Sequence, residues 1–105
     1  MEISEEQLRR YAQLRIAKLF HVEPEALSLQ AAFGDVLKAS FVSDFKANEF
    51  EQLDRDVKDV ADRQTLQELA SGALVIRTVD DYCDHMVRCY RTKPQEVMRV
   101  LRMAK

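Results

Sequence analysis

The residues with most chemistry to offer crowd one stretch: Cys83, Asp84, His85 and Cys89. Thiolates, imidazole and carboxylate are the usual ligands of zinc, and a cysteine or serine beside a histidine makes a nucleophile–base pair. The spacing argues against both. On a helix these four side chains point in different directions, and neighbours such as Asp84 and His85 do not face one another. His21 stands apart, at the end of another helical pattern, where a C-terminal cap is its simplest role. Neither histidine has a serine or cysteine placed to be activated. Cys83 lies on an apolar face and reads as a small buried hydrophobe. Cys89 follows about 9 Å further along the helix axis, too far for a mutual disulfide. If it faced solvent, it would be able to bridge two chains. The expectation is a chain that is not an enzyme and holds no metal.

The elements that position these residues are helical. The 105 residues include only two glycines and two prolines, too few turn formers for a sandwich or barrel. Apolar residues make up 47% and charged residues 32%, an ordinary globular composition. A chain of this mass folds from roughly 17,700 Å² of surface to roughly 6,000 Å², enough for one core without disulfides or metal.

Helix signals recur along the chain. Ser4 and Gln7 form a capping box and Ile3 with Leu8 a hydrophobic staple, opening a helix over residues 5–20. Its apolar face is Leu8, Tyr11, Ala12, Ile16, Leu19 and Phe20. Pro24 disfavours helix in the residue before it, so residues 21–43 read as a long structured loop with short helical turns. A second amphipathic helix covers 44–62, with Phe45, Phe50, Leu53, Val57, Val60 and Ala61 apolar. A short third helix covers 64–72, stopped by Gly72. Thr78, Asp80 and Asp81 open a fourth helix that runs to Arg91, with Val79, Tyr82, Cys83, Met86, Val87 and Tyr90 inward. Val97, Met98, Val100 and Leu101 mark a short fifth helix inside a basic tail, residues 92–105. The reading is all-α: a four-helix domain over residues 1–91 and an additional C-terminal helix.

Charge is uneven. Residues 44–68 hold eight acids and four bases, and residues 91–105 hold five bases and one acid. The acidic helix over 44–62 is a solvated face or a docking surface for basic protein partners. The basic tail is expected to dock on its own bundle, with a membrane surface or an acidic partner as alternatives. It is too short for firm nucleic-acid binding and lacks interleaved aromatic residues, and the net charge of −2 gives no general attraction to polyanions. No apolar stretch is long enough to span a bilayer, and Met1 to Glu6 lacks the features of a secretory signal. Firm membrane association is therefore not expected, and a cytoplasmic location is.

The order of these parts resembles the acyl carrier protein family. Leu19-Phe20-His21-Val22-Glu23-Pro24-Glu25-Ala26-Leu27 is similar to the stretch ending that family's first helix, and Phe33 with Asp35-Val36-Leu37 to the run that follows. Ile76-Arg77-Thr78-Val79-Asp80-Asp81-Tyr82 is similar to the entry of its last helix. The resemblance covers about residues 5–90, with a longer middle stretch. It implies a four-helix carrier-like bundle in which one serine, at the start of the second helix in an Asp-Ser-Leu motif, carries 4′-phosphopantetheine. A helix start suits that role, since its exposed amides and dipole tolerate a phosphate. The candidates here are Ser40 and, second, Ser43. Ser40 has Ala39 where the motif has Asp and Phe41 where it has Leu, and the aspartate beside Ser43 follows it. From the residues alone, Ser40 is equally a loop serine and Ser43 a helix N-cap. With an arm attached, the protein would carry an acyl or aminoacyl thioester, with Phe20, Phe33, Phe41, Phe45, Phe50, Leu53 and Met86 as candidate lining of an acyl site. Without one, the same fold would serve as a helical interaction module.

Overall fold

The computed structural model describes residues 3–33 and 49–102. The described residues form five α-helices: α1 Glu5–Phe20, α2 Glu49–Asp59, α3 Arg63–Ser71, α4 Val79–Tyr90 and α5 Pro94–Leu101, with a 3₁₀ turn at Pro24–Ala26. The all-α expectation holds, and a four-helix arrangement with one extra helix fits it.

Local chemistry sets most of the boundaries. The Ser4 hydroxyl accepts the Gln7 N–H while the Gln7 side chain accepts the Ser4 N–H, so α1 opens on the expected capping box. It stops at His21, which turns left-handed at φ 56° and donates its N–H to the last carbonyls of the helix. Thr78 and Asp81 make a second box at the start of α4. The next free amides of that helix are met by the long loop: Val79 N–H donates to the Ala31 carbonyl at 3.1 Å and Asp80 N–H to the Leu29 carbonyl at 2.9 Å. Phe33 N–H in turn donates to the Arg77 carbonyl at 2.8 Å. Residues 29–33 are thereby fixed against the entry to α4, paired antiparallel at Ala32 and Thr78.

The second helix ends earlier than the periodicity suggests, at Asp59 instead of residue 62. Asp62 is the reason. Its carboxylate caps α3 by accepting the Thr65 N–H at 2.8 Å, which requires an extended backbone and so breaks the preceding helix. Residues 44–48, at the start of that expected helix, lie outside the described residues.

α1 and α4 make the most extensive helix pair, and α2 and α5 pack across both. The core holds Leu8, Ala12, Ile16, Leu19, Leu53, Val57, Val60, Val79, Tyr82, Cys83, Met86 and Cys89. α5 adds Val97, Val100 and Leu101 to it, so these apolar residues of the basic segment dock on its own bundle, as expected. Arg99 of α5 also reaches Asp59 at the end of α2, at 3.9 Å. The apolar face of α4 is rotated from its expected position: His85 and Cys89 are buried, whereas Val87 and Tyr90 are only half-buried. Burial of Cys89 removes it from the surface, so it is not available to bridge chains.

One buried polar group joins three helices. The Asp56 carboxylate of α2 accepts Arg15 of α1 through both oxygens, from Nε at 2.8 Å and from a terminal guanidinium nitrogen at 3.1 Å. It also accepts the Tyr82 hydroxyl of α4 at 3.0 Å. Burial, then the Asp56 charge, push the Tyr82 hydroxyl well above its ordinary pKa, so it stays a donor. Replacing Asp56 by Ala strands the guanidinium and the hydroxyl together. We expect a loss of about 3–5 kcal/mol in urea unfolding. Tyr82→Phe leaves the carboxylate paired with Arg15 and is expected to cost about 1 kcal/mol.

Candidate functional site

α2 places Phe50, Leu53, Asp54 and Val57 at spacings of three, one and three residues, so they share one side of the helix. Leu69 of α3 and the connecting residues Leu74, Val75 and Ile76 face them. Together they enclose an open, mostly apolar groove of about 330 Å³. That lies near the lower end of the volumes usual for small-molecule sites.

Two further concavities adjoin it. One of about 300 Å³ lies on the other side of Leu74–Ile76, against Asp81, Asp84, His85 and Arg88. The other, of about 410 Å³, extends past Leu69 to Leu66, Ala70, Asp54 and Lys58. The exposed large apolar side chains among the described residues, Leu66 at 41% and Val75 at 47%, both belong to this surface. A larger hollow of about 790 Å³ runs along α1 from Glu5 to Gln13. Among the described residues it is lined by six side chains of that one helix, all Glu, Gln or Arg, and by no second element.

The aromatic residues connect the groove to the interior. Phe20 stacks on Phe33 with ring centroids 5.7 Å apart, and meets Phe50 at 5.8 Å in a tilted arrangement. Of the expected lining residues, Phe50 and Leu53 stand in the groove, and Phe20 and Phe33 join it through the Phe50 ring. Met86 is wholly buried in the core and does not reach it. Phe41, Phe45, Ser40 and Ser43 lie outside the described residues.

The sequence reading missed Leu74, Val75 and Ile76 as lining. Their signal was available: four apolar residues in a row, Ala73 to Ile76, between Gly72 and Arg77, too short for a helix and next to a helix cap.

The groove's rim is charged, and its charges are largely paired. Lys58 meets Asp54 at 2.9 Å, and Arg88 meets Glu68 at 2.9 Å. Hydrogen bonding to Arg88 holds the Glu68 carboxyl below its ordinary range. Arg9 of α1 bridges Asp80 and Asp84. Beneath the rim, His85 is buried with Nε2 2.8 Å from the Val57 carbonyl, and Cys89 Sγ lies close to both ring nitrogens. Desolvation pushes the His85 pKa below its ordinary 6.5, so the ring is neutral near pH 7, and Nε2 donates to the carbonyl.

The two thiols in this part of the fold are not activated. Burial raises both thiols to a pKa of about 11, the opposite of an activated nucleophile. Cys83 directs its thiol at the Arg9 carbonyl, at 3.7 Å. Among the described residues, no three His, Cys, Asp or Glu side chains converge as a metal site, and no helix is long and apolar enough to cross a membrane.

Comparisons with protein-family models, with curated proteins and with solved structures gave no match.

Two measurements test this description. A thiol-reactive disulfide reagent at neutral pH is expected to leave both cysteines unmodified in the native protein and to label both in urea. Val75→Ser, at a half-exposed position, is expected to change stability by less than about 0.5 kcal/mol. The same substitution should weaken uptake of a fluorescent apolar probe, read by emission intensity.

Proposed function

We propose that this chain is a small non-enzymatic, acyl-carrier-like protein of the cytoplasm whose α2–α3 groove takes an apolar chain. The groove is the observation that carries the reading: an open, mostly apolar surface between two helices, continuous with Phe20 and Phe33. In this reading Ser40, or else Ser43, bears 4′-phosphopantetheine, whose thiol would hold the acyl or aminoacyl group as a thioester. The role of the chain's own residues is then to shelter the cargo from water and to present α2 to the enzymes that load and unload it. α2 carries Glu49, Glu51, Asp54, Asp56 and Asp59 against Arg55 and Lys58. With Asp56 turned inward, the remaining excess of acid favours basic protein partners through faster encounter.

A second reading keeps the fold and drops the arm. It is supported by the sequence around the candidate serines: Ala39 and Phe41 flank Ser40 where the carrier motif has Asp and Leu, and the aspartate beside Ser43 follows it. The protein would then be a helical interaction module that uses the same groove and the same acidic face.

Intact mass separates the two. After incubation with coenzyme A and a broad-specificity phosphopantetheinyl transferase, the carrier reading expects a gain of one phosphopantetheine arm, abolished by Ser40→Ala or by Ser43→Ala. No gain in folded wild-type protein overturns the carrier reading and leaves the interaction module.

A further inference from the structure

Two concavities share Leu74, Val75 and Ile76 as lining, and one buried titratable side chain borders the smaller of them. His85 is 2% exposed and lines the smaller concavity with Asp81, Asp84 and Arg88. Its Nε2 faces the carbonyl of Val57, which lines the larger groove. We propose that His85 is an acid-sensitive latch: uptake of a proton by its buried imidazole releases the Leu74–Ile76 segment from α4 and merges the two concavities into one open groove.

The geometry suits a neutral ring and not a charged one. Neutral imidazole has one N–H to place, and the Val57 carbonyl takes it at 2.8 Å. The imidazolium has a second N–H, at Nδ1. The group beside it is the Cys89 sulfur at 3.9 Å, a weak acceptor. Arg88 of the same helix adds a like charge, and it is itself tied to Glu68 of α3. α2 offers His85 a carbonyl, and Leu74, Val75 and Ile76 bring no titratable group.

The carboxylates on the same cavity are already engaged. Arg9 holds Asp84. Asp81 accepts the Arg77 N–H at 2.9 Å and the Thr78 N–H at 3.1 Å, and these bonds anchor the C-terminal end of the segment. The other end is anchored by the Leu74 N–H on the Glu68 carbonyl, at 3.1 Å. Displacing the segment admits water to Nδ1 and frees Asp81 to act as counter-ion. The carboxylate that holds the segment closed is therefore one the imidazolium competes for.

The sign follows from proton linkage. Burial depresses the ring's affinity for a proton in the closed state below its ordinary value of 6.5, and an opened, hydrated ring recovers it. The open state thus binds more protons as pH falls below 6.5, and its population rises through that window. The consequence for a ligand rests on the groove reading above. The opening itself does not, because it is measured without ligand.

The test is amide hydrogen exchange on the full chain between about pH 8 and about pH 5, alongside the NMR titration of the His85 ring. After correction for intrinsic chemical exchange, the amides of Leu74, Arg77 and Thr78, whose hydrogen bonds hold the segment, are expected to exchange roughly tenfold faster at the acid end. Their midpoint should follow the His85 ring, and those of α1 and α5 should not change. His85→Gln keeps an N–H for the Val57 carbonyl and does not titrate, so its exchange is expected to be flat across the range. Acceleration that persists in His85→Gln overturns the proposal. So does a ring that titrates in the wild type while the amides of Leu74, Arg77 and Thr78 stay protected, or exchange that rises equally in α1 and α5. The wild-type comparisons stand even if the variant does not fold. An apolar fluorescent probe then distinguishes the two readings: opening without probe uptake at any pH would overturn the ligand reading and leave the latch standing.

Discussion

A carboxylate inside a helical bundle must be met from more than one side, and Asp56 is met from two. Arg15 reaches it from α1 with two donors, and Tyr82 reaches it from α4 with a third. Such a group adds little net stability compared with a well-packed apolar side chain, because its desolvation offsets much of the attraction. Its consequence here is positional. The three donors come from two helices already packed on one another, so α2 can satisfy them at one height and one rotation. That setting brings Val57 over His85 and sends Phe50 and Leu53 to the groove. The shape of the candidate site is therefore settled by a polar contact in the core some turns away.

Elements with their own stop and start signals were legible from the sequence. The boundaries of α1 follow from Ser4, Gln7 and His21, and the start of α4 from Thr78 and Asp81, because each cap is a short-range hydrogen bond written in adjacent residues. The end of α2 was less so, since it is fixed by Asp62 acting for the helix that follows. Asp56 and His85 were assigned with the charged and polar positions, though both lie on apolar faces at helical spacing. Asp56 falls in register with Leu53, Val57 and Val60, and His85 with Tyr82 and Cys89. A polar side chain at such a position announces a buried partner. Which partner it finds depends on how the helices cross, and periodicity carries no information about that. The candidate serines, the part of the site that rests most on resemblance, lie outside the described residues.

The basic C-terminal segment illustrates the same limit from the opposite direction. Its sequence is that of a cationic amphipathic helix, a pattern suited equally to a membrane surface, an acidic partner or the chain's own core. Packing decides among them. Val97, Val100 and Leu101 are buried against the bundle, and Arg99 turns to Glu96 and Asp59. Among the described residues of the segment, Arg91 and Arg102 are left as exposed charge. The larger apolar opportunity lies elsewhere.

The groove itself follows from how α3 ends. Gly72 adopts φ 84°, a left-handed conformation that costs glycine little, and the Leu74 N–H returns to the Glu68 carbonyl. The chain is then committed to reach Thr78, where the capping box and the Ala31 and Leu29 carbonyls fix the entry to α4. Leu74, at a bend, Val75 and Ile76 make that crossing outside any helix or strand. Three such residues cannot cover the apolar flank of α2 as a helical turn would. Val75 is left half-exposed and Leu74 and Ile76 half-buried, with a concavity on each side of them. A thin divider held by the Leu74 N–H on the Glu68 carbonyl at one end, and by Asp81 on the Arg77 and Thr78 N–H groups at the other, needs few hydrogen bonds broken to move, and His85 is the buried titratable group on the concavity it borders.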